Sequence, residues 1–186
     1  MWRIKLNIRH TVNRDLFQVL EIHRRAFGAE KGIEIAELVD GLFEDPTARP
    51  FVSLLALDGD TPVGHVLFTK ARLTGPDAPT PISLLAPLAV IPEHQAQGVG
   101  GRLIEAGLEC LAEAGVVLVF VLGHPTYYPR HGFRTAGVLG FGAPYPIPEE
   151  YADAWMVQEL KSGILGRVTG QVICSDVLHQ PQHWRE

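Results

Sequence analysis

The sequence predicts an α/β fold organised around a parallel strand, helix, strand crossover, and three consecutive observations predict it. Residues 82–90 (ISLLAPLAV) are apolar on both faces and interrupted only by Pro87, the pattern of a short buried strand with a bulge or bend near its end. A glycine-bearing loop, Gln95-x-x-Gly98-x-Gly100, then opens a helix. Leu103, Ile104, Gly107, Leu108 and Leu111 share one face of that helix, while Arg102, Glu105, Glu109 and Glu113 lie away from it. Gly115 stops the helix, and residues 116–122 (VVLVFVL) form a continuous β-branched and aromatic run. This order makes a right-handed parallel crossover, whose ligands sit beyond the carboxyl ends of its strands.

The other elements follow from the same periodicities. Residues 3–9 (RIKLNIR) alternate polar with apolar and predict a first strand. Leu16, Val19, Leu20, His23 and Phe27 share a helical face, and Ile35, Leu38, Val39 and Leu42 predict a second, shorter helix ending before Pro46. Residues 51–57 and 63–73 are strand-like, joined by the hairpin signal Asp58-Gly59-Asp60. Residues 74–81, with three prolines and a glycine, form a loop into residue 82. Past Phe133, a proline-rich loop over 141–148 leads to closing strands at 155–160 and 167–174, and residues 180–186 are expected to fray. No internal repeat is visible.

Composition narrows the function. A chain of 186 residues that is 46% hydrophobic can bury one sizeable core and is expected to be a single domain over 1–186. No apolar run approaches the roughly 18 to 20 residues that span a bilayer, and the first ten residues lack the apolar centre of a signal peptide. A soluble, cytoplasmic protein is expected. Cys110 and Cys174 have no metal-ligand spacing, so no metal site is expected and neither thiol is expected to be catalytic. A net charge of −5 without a basic run argues against nucleic acid or an anionic membrane as the main partner.

The loop after the first crossover strand is laid out as an anion site, because the first turn of a helix offers N–H groups with no partner inside it. It is not a P-loop, since Gly101 and Arg102 stand where Lys and Ser or Thr would follow Gly100. Nor is it a dinucleotide fingerprint, which would need glycine where this chain has Leu103. A cation such as Arg102 in a first helical turn opposes the helix dipole unless an anion sits there or Glu105 pairs with it.

Leu88-x-Val90 followed by Gln95-x-x-Gly98-x-Gly100 and a helix resembles the acetyl-coenzyme A motif of the GNAT N-acetyltransferase superfamily. In the later block GHPTYYPRHGF (residues 123–133), Tyr128 stands four residues before Gly132-Phe133 and resembles the superfamily's late tyrosine signature. The wording of both blocks is most similar to the YhbS-like branch of predicted acetyltransferases. The resemblance implies a mixed, mostly antiparallel central sheet flanked by helices, with the parallel unit forming the acetyl-CoA site. It implies that Leu88, Ala89 and Val90 hold the pantetheine arm and the thioester oxygen through backbone N–H groups. The amides of Gln95, Ala96, Gln97, Gly98, Val99, Gly100 and Gly101 would cradle the pyrophosphate, with Arg102 beside them.

The activity so implied is direct transfer of an acetyl group from acetyl-CoA to a primary amine. Tyr128 would be the general acid, since a phenol and a departing thiolate have similar basicity. Many superfamily members carry a glutamate on the strand before the loop, yet here Leu84, Leu85, Ala86 and Pro87 occupy it. His124, at the end of the next strand, is the first substitute as general base, and His65 reads as structural. Glu30, Glu37 and Glu44 are further candidates for the acceptor side. The alternative is a non-catalytic sensor or interaction module that binds an acyl-CoA. The acceptor, the acyl length and a homodimer formed through a closing strand are not specified by these residues.

Overall fold

The computed structural model describes residues 5–185. The crossover forms as its residues dictate. Strand β4 (Ile82–Val90) runs parallel to β5 (Leu118–Leu122) and is joined to it through helix α3 (Val99–Glu113). All five α3 positions assigned to the inner face are buried. Gly115, at φ +85°, closes the helix, with Val116 N–H donating to Leu111 C=O and Gly115 N–H to Ala112 C=O, both at 3.0 Å.

Before the crossover come β1 (Leu6–His10), α1 (Leu16–Phe27), α2 (Lys31–Glu44), β2 (Val52–Asp58) and β3 (Thr61–Thr74). After it come the two-residue strands β6 (Arg134–Thr135) and β7 (Phe141–Gly142), then β8 (Trp155–Glu159) and β9 (Gly170–Ile173). The main sheet runs β1-β2-β3-β4-β5-β8-β6 and is antiparallel except for β4 and β5. Strand β9 pairs antiparallel with the far end of β3 and parallel with β7. The Gly59-Asp60 loop makes the expected hairpin, with Gly59 at φ +60°.

Three expectations are corrected. Helix α2 has 14 residues against 12 in α1, so the second helix is the longer one. It gains a first turn, residues 31–34, whose Lys, Gly and Glu carry little apolar signal, and it stops where Asp45 caps the turn containing Pro46. The proline-rich stretch over 141–148 opens with β7. The C-terminal segment is anchored: Pro181–Trp184 is a 3₁₀ turn, and Trp184 is 3% exposed. Its indole N–H donates to Leu178 C=O at 2.9 Å, and its ring meets that of Trp155 edge-on at 5.8 Å. The start of the first-strand expectation (residues 3 and 4) and Glu186 lie outside the described residues.

Helix α3 is pressed onto the sheet. Any Cβ at Gly107 would overlap the ring of Phe68, which is fully buried in β3. Gly107→Ala is therefore expected to lose about 1–2 kcal/mol, overpacking exceeding the roughly 1 kcal/mol gained in helix propensity. A lowered urea midpoint with unchanged slope would show it; an unchanged or raised midpoint would mean that Phe68 moves aside freely.

Helix α1 is tied to the sheet by a buried polar chain. His23 Nε2 lies 2.9 Å from His65 Nδ1, His65 Nε2 lies 2.8 Å from Ser53 Oγ, and Thr11 donates to Ser53 Oγ at 2.8 Å. His65 is thus structural, as expected, and both imidazoles are fully buried.

Candidate active site

The site begins where β4 and β5 part. They pair from Ile82 with Leu118 to Leu85 with Val121 and no further. On the other side of β4, register with β3 jumps from Phe68 opposite Leu85 to Val66 opposite Leu88, so Ala86 and Pro87 together face Leu67. This is the bulge expected at Pro87. Beyond it β4 stays with β3, while β5 stays with β8 through Leu122 and Trp155. A cavity of about 360 Å³ opens between the diverging ends.

Leu85, Ala86, Pro87 and Leu88 form one wall of this cavity, and Leu122, Gly123, His124 and Tyr128 form another. Tyr128 is buried and starts the 3₁₀ turn Tyr128–His131. Its ring covers Gly123, where a Cβ would overlap it, and packs edge-on against Tyr127 (5.2 Å) and Phe133 (5.6 Å). Gly132 ends the turn at φ +89° and Phe133 enters the core, so the Gly-Phe pair anchors the tyrosine. His124 is exposed at the rim.

The glycine loop lies next to this opening. Gln95 and Gln97 spend their side-chain amides on the loop itself, donating to Val90 C=O at 2.9 Å and Glu93 C=O at 2.8 Å. Ala96 and Gly98 are left-handed, at φ +57° and +82°. Arg102 N–H to Gly98 C=O, at 3.1 Å, is the first bond of α3, so the N–H groups of Val99, Gly100 and Gly101 have no carbonyl within the helix. Neither a side-chain cap nor an acidic residue occupies this first turn. Arg102 does not pair with Glu105 among the described residues; it donates to Leu6 C=O at 3.4 Å and links α3 to β1.

Gly100 and Gly101 also have a packing role. A Cβ at Gly100 would lie 2.5 Å from the Tyr127 hydroxyl, and one at Gly101 would lie 2.7 Å from His131 Cε1. The turn that carries Tyr128 is thereby docked directly on the start of α3. Tyr127, which carries no distinguishing signal in the sequence, has its hydroxyl at this junction, and partial burial raises its pKa above the ordinary phenol value.

A third wall comes from α1 and α2, through Phe27, Lys31, Glu34, Ile35 and Leu38. Glu30, Glu37 and Glu44 do not line the cavity; Glu34 does. The helical spacing of 31, 34, 35 and 38 was the available signal for that face. The C-terminal turn supplies the fourth wall with Gln182, His183, Trp184 and Arg185. No local pattern marks these residues. Burial raises the pKa of both cysteines, that of Cys174 to about 11, which keeps them as thiols.

The acetyltransferase (GNAT) domain model matches residues 7–136. The uncharacterized N-acetyltransferase YjhQ of Escherichia coli K12 is 51% identical over 164 residues, covering 87% of this chain and 88% of that protein. The uncharacterized N-acetyltransferase YhbS of the same strain is 33% identical over 150 residues, covering 80% of this chain and 84% of its own. A crystal structure of YhbS in complex with CoA superposes with TM-score 0.84 at 29% identity, over 97% of this chain and 95% of that one. A GNAT family acetyltransferase from Brucella melitensis, crystallised with acetyl-CoA, shares the fold at TM-score 0.73 and 24% identity, over 95% and 99% of the two chains. With the fold, the parted strands and these matches in agreement, the chain belongs to the GNAT acetyltransferase family.

Proposed function

We propose that this chain, acting as one unit over its 186 residues, transfers an acetyl group from acetyl-CoA to a primary amine by direct attack. The observation that carries the reading is the parting of β4 from β5 at the bulge, beside an uncapped α3 N-terminus and with Tyr128 on the cavity wall. The crystallised complexes of YhbS with CoA and of the Brucella protein with acetyl-CoA support the choice of donor.

The residues present fit such a donor. The free first-turn N–H groups of α3, with the loop from Gln95 to Gly101, suit a pyrophosphate, and the dipole of α3 favours its charge. Past the bulge the β4 edge has no strand partner on the β5 side, which leaves N–H groups among Leu88, Ala89 and Val90 for the pantetheine arm and the thioester oxygen. Acetyl-CoA supplies the activated acetyl thioester. The acceptor amine loses a proton and forms the C–N bond, the C–S bond breaks, and Tyr128 gives its proton to the departing thiolate. His124, at the exposed rim, offers a route for protons to solvent. No helix among the described residues is long and apolar enough to cross a membrane.

Thiol release from acetyl-CoA across a panel of amines, amino acids and peptides, with CoA binding measured on the same preparation, tests the reading. Release accelerated by one acceptor class is expected. Tight CoA binding with no acceptor-dependent release would favour an acyl-CoA sensor on the same fold.

A further inference from the structure

We propose that His183, on the C-terminal turn, accepts the proton of the acceptor's ammonium group, which makes residues 182–185 a working wall of the acceptor site. The inference rests on the transfer reading above. The turn is built in place, because Trp184 is buried, bonded to Leu178 C=O and packed on Trp155, whose ring in turn stacks on Phe120 at 5.3 Å. That anchor holds His183 on the same cavity as Tyr128. At about 360 Å³ the cavity is at the small end of ligand sites, and His183 and Tyr128 line that one space.

The other candidate bases are less well placed. At the bulge β4 offers only Leu84, Leu85, Ala86 and Pro87. His124 is exposed at the rim, whereas His183 is half-buried and its side chain has no hydrogen-bond or ion-pair partner among the described residues. Partial burial lowers its pKa, so the imidazole is neutral and able to accept at neutral pH. The titratable groups that line the same cavity are Lys31 and Glu34 from α2, His124 from the end of β5, Tyr128 from its turn and Arg185 on its own segment. Among them Glu34 supplies the negative charge that attracts an incoming ammonium. In the step, one ammonium N–H proton passes to His183 and then to water; the freed lone pair forms the C–N bond as the C–S bond breaks, the thiolate takes the Tyr128 proton, and the second proton shed by the nitrogen returns to the Tyr128 phenolate, leaving the amide and the free thiol. The turn lies past residue 136, beyond the matched family region.

His183→Gln, His183→Ala and His124→Gln are compared with the parent over pH 6–9, using the panel amine that gives the fastest thiol release and measuring acetyl-CoA affinity by calorimetry. For His183→Gln we expect kcat/KM for the amine to fall about a hundredfold at pH 7. The loss should shrink as pH approaches the amine's own pKa, acetyl-CoA affinity should hold, and added imidazole should restore part of the His183→Ala rate. A loss equal at every pH without imidazole rescue, an unchanged profile, or transfer of the whole effect to His124→Gln would each overturn the assignment. Absence of release with every amine would instead overturn the transfer reading, and this assignment with it.

Discussion

Tyr128→Phe is expected to lower kcat by about 10²- to 10⁴-fold while leaving CoA affinity within about twofold. The substitution removes one hydroxyl and keeps the ring, and the ring makes the packing: it covers Gly123 and meets Tyr127 and Phe133 edge-on. The fold is therefore expected to survive. The donor's anionic part would be held elsewhere, by the α3 N-terminus and the glycine loop, so binding and chemistry should separate cleanly. In the proposed mechanism what is lost is a proton donor at the departing sulfur, needed in the transition state more than in the ground state, and such a loss appears in kcat rather than in KM for the donor. Steady-state kinetics with saturating amine, alongside CoA titration of the same variant, decides it. Unchanged turnover would remove Tyr128 from the mechanism. Weakened CoA binding with proportionate loss of rate would reassign it to holding the donor.

The parts of the site that were legible in the chain are those governed by local pattern. Helix α3 declared its inner face through Leu103, Ile104, Gly107, Leu108 and Leu111, and Pro87 marked the bulge in β4 before any pairing was known. What local pattern does not carry is where β5 leaves β4, because that depends on β8 holding Leu122 through Trp155. The same limit hid the C-terminal wall. Trp184 sits in a polar, proline-containing tail that reads as frayed, and only its partners Trp155 and Leu178, supplied by the fold, make it an anchor. Gly100 and Gly101 show a subtler limit: their missing side chains suit a phosphate, yet the space beside them is filled by Tyr127 and His131. One residue type served two requirements, and only the phosphate was visible in the sequence.

Stability is expected to fall steeply as pH drops below about 6.5, the ordinary imidazole value, because of His23 and His65. Burial holds the pKa of each well below that value, and for His65 the charge His23 would carry lowers it further. The unfolded chain therefore binds protons at these two residues in a range where the folded chain does not. Folding stability is complete above the unfolded value and declines as pH falls, by roughly 1.4 kcal/mol per pH unit for each imidazole. Both imidazoles act in the same direction, against a total of only about 5–15 kcal/mol typical of a domain. The window is separable from that of the carboxylates: hydrogen bonding to Arg9 holds Asp15 at a pKa of about 2, so its contribution is present above 3.8 and is lost only at lower pH. The consequence reaches the site, because His23 joins α1 to the sheet and α1 carries Phe27 on the cavity wall. Urea midpoints measured from pH 7.5 to 5 should fall continuously, and a His23→Leu, His65→Leu double variant, which removes both titrating partners, should flatten that slope. A midpoint that stays constant over this range in the parent, or a slope unchanged in the double variant, would show that the buried pair does not set the acid limit of the fold.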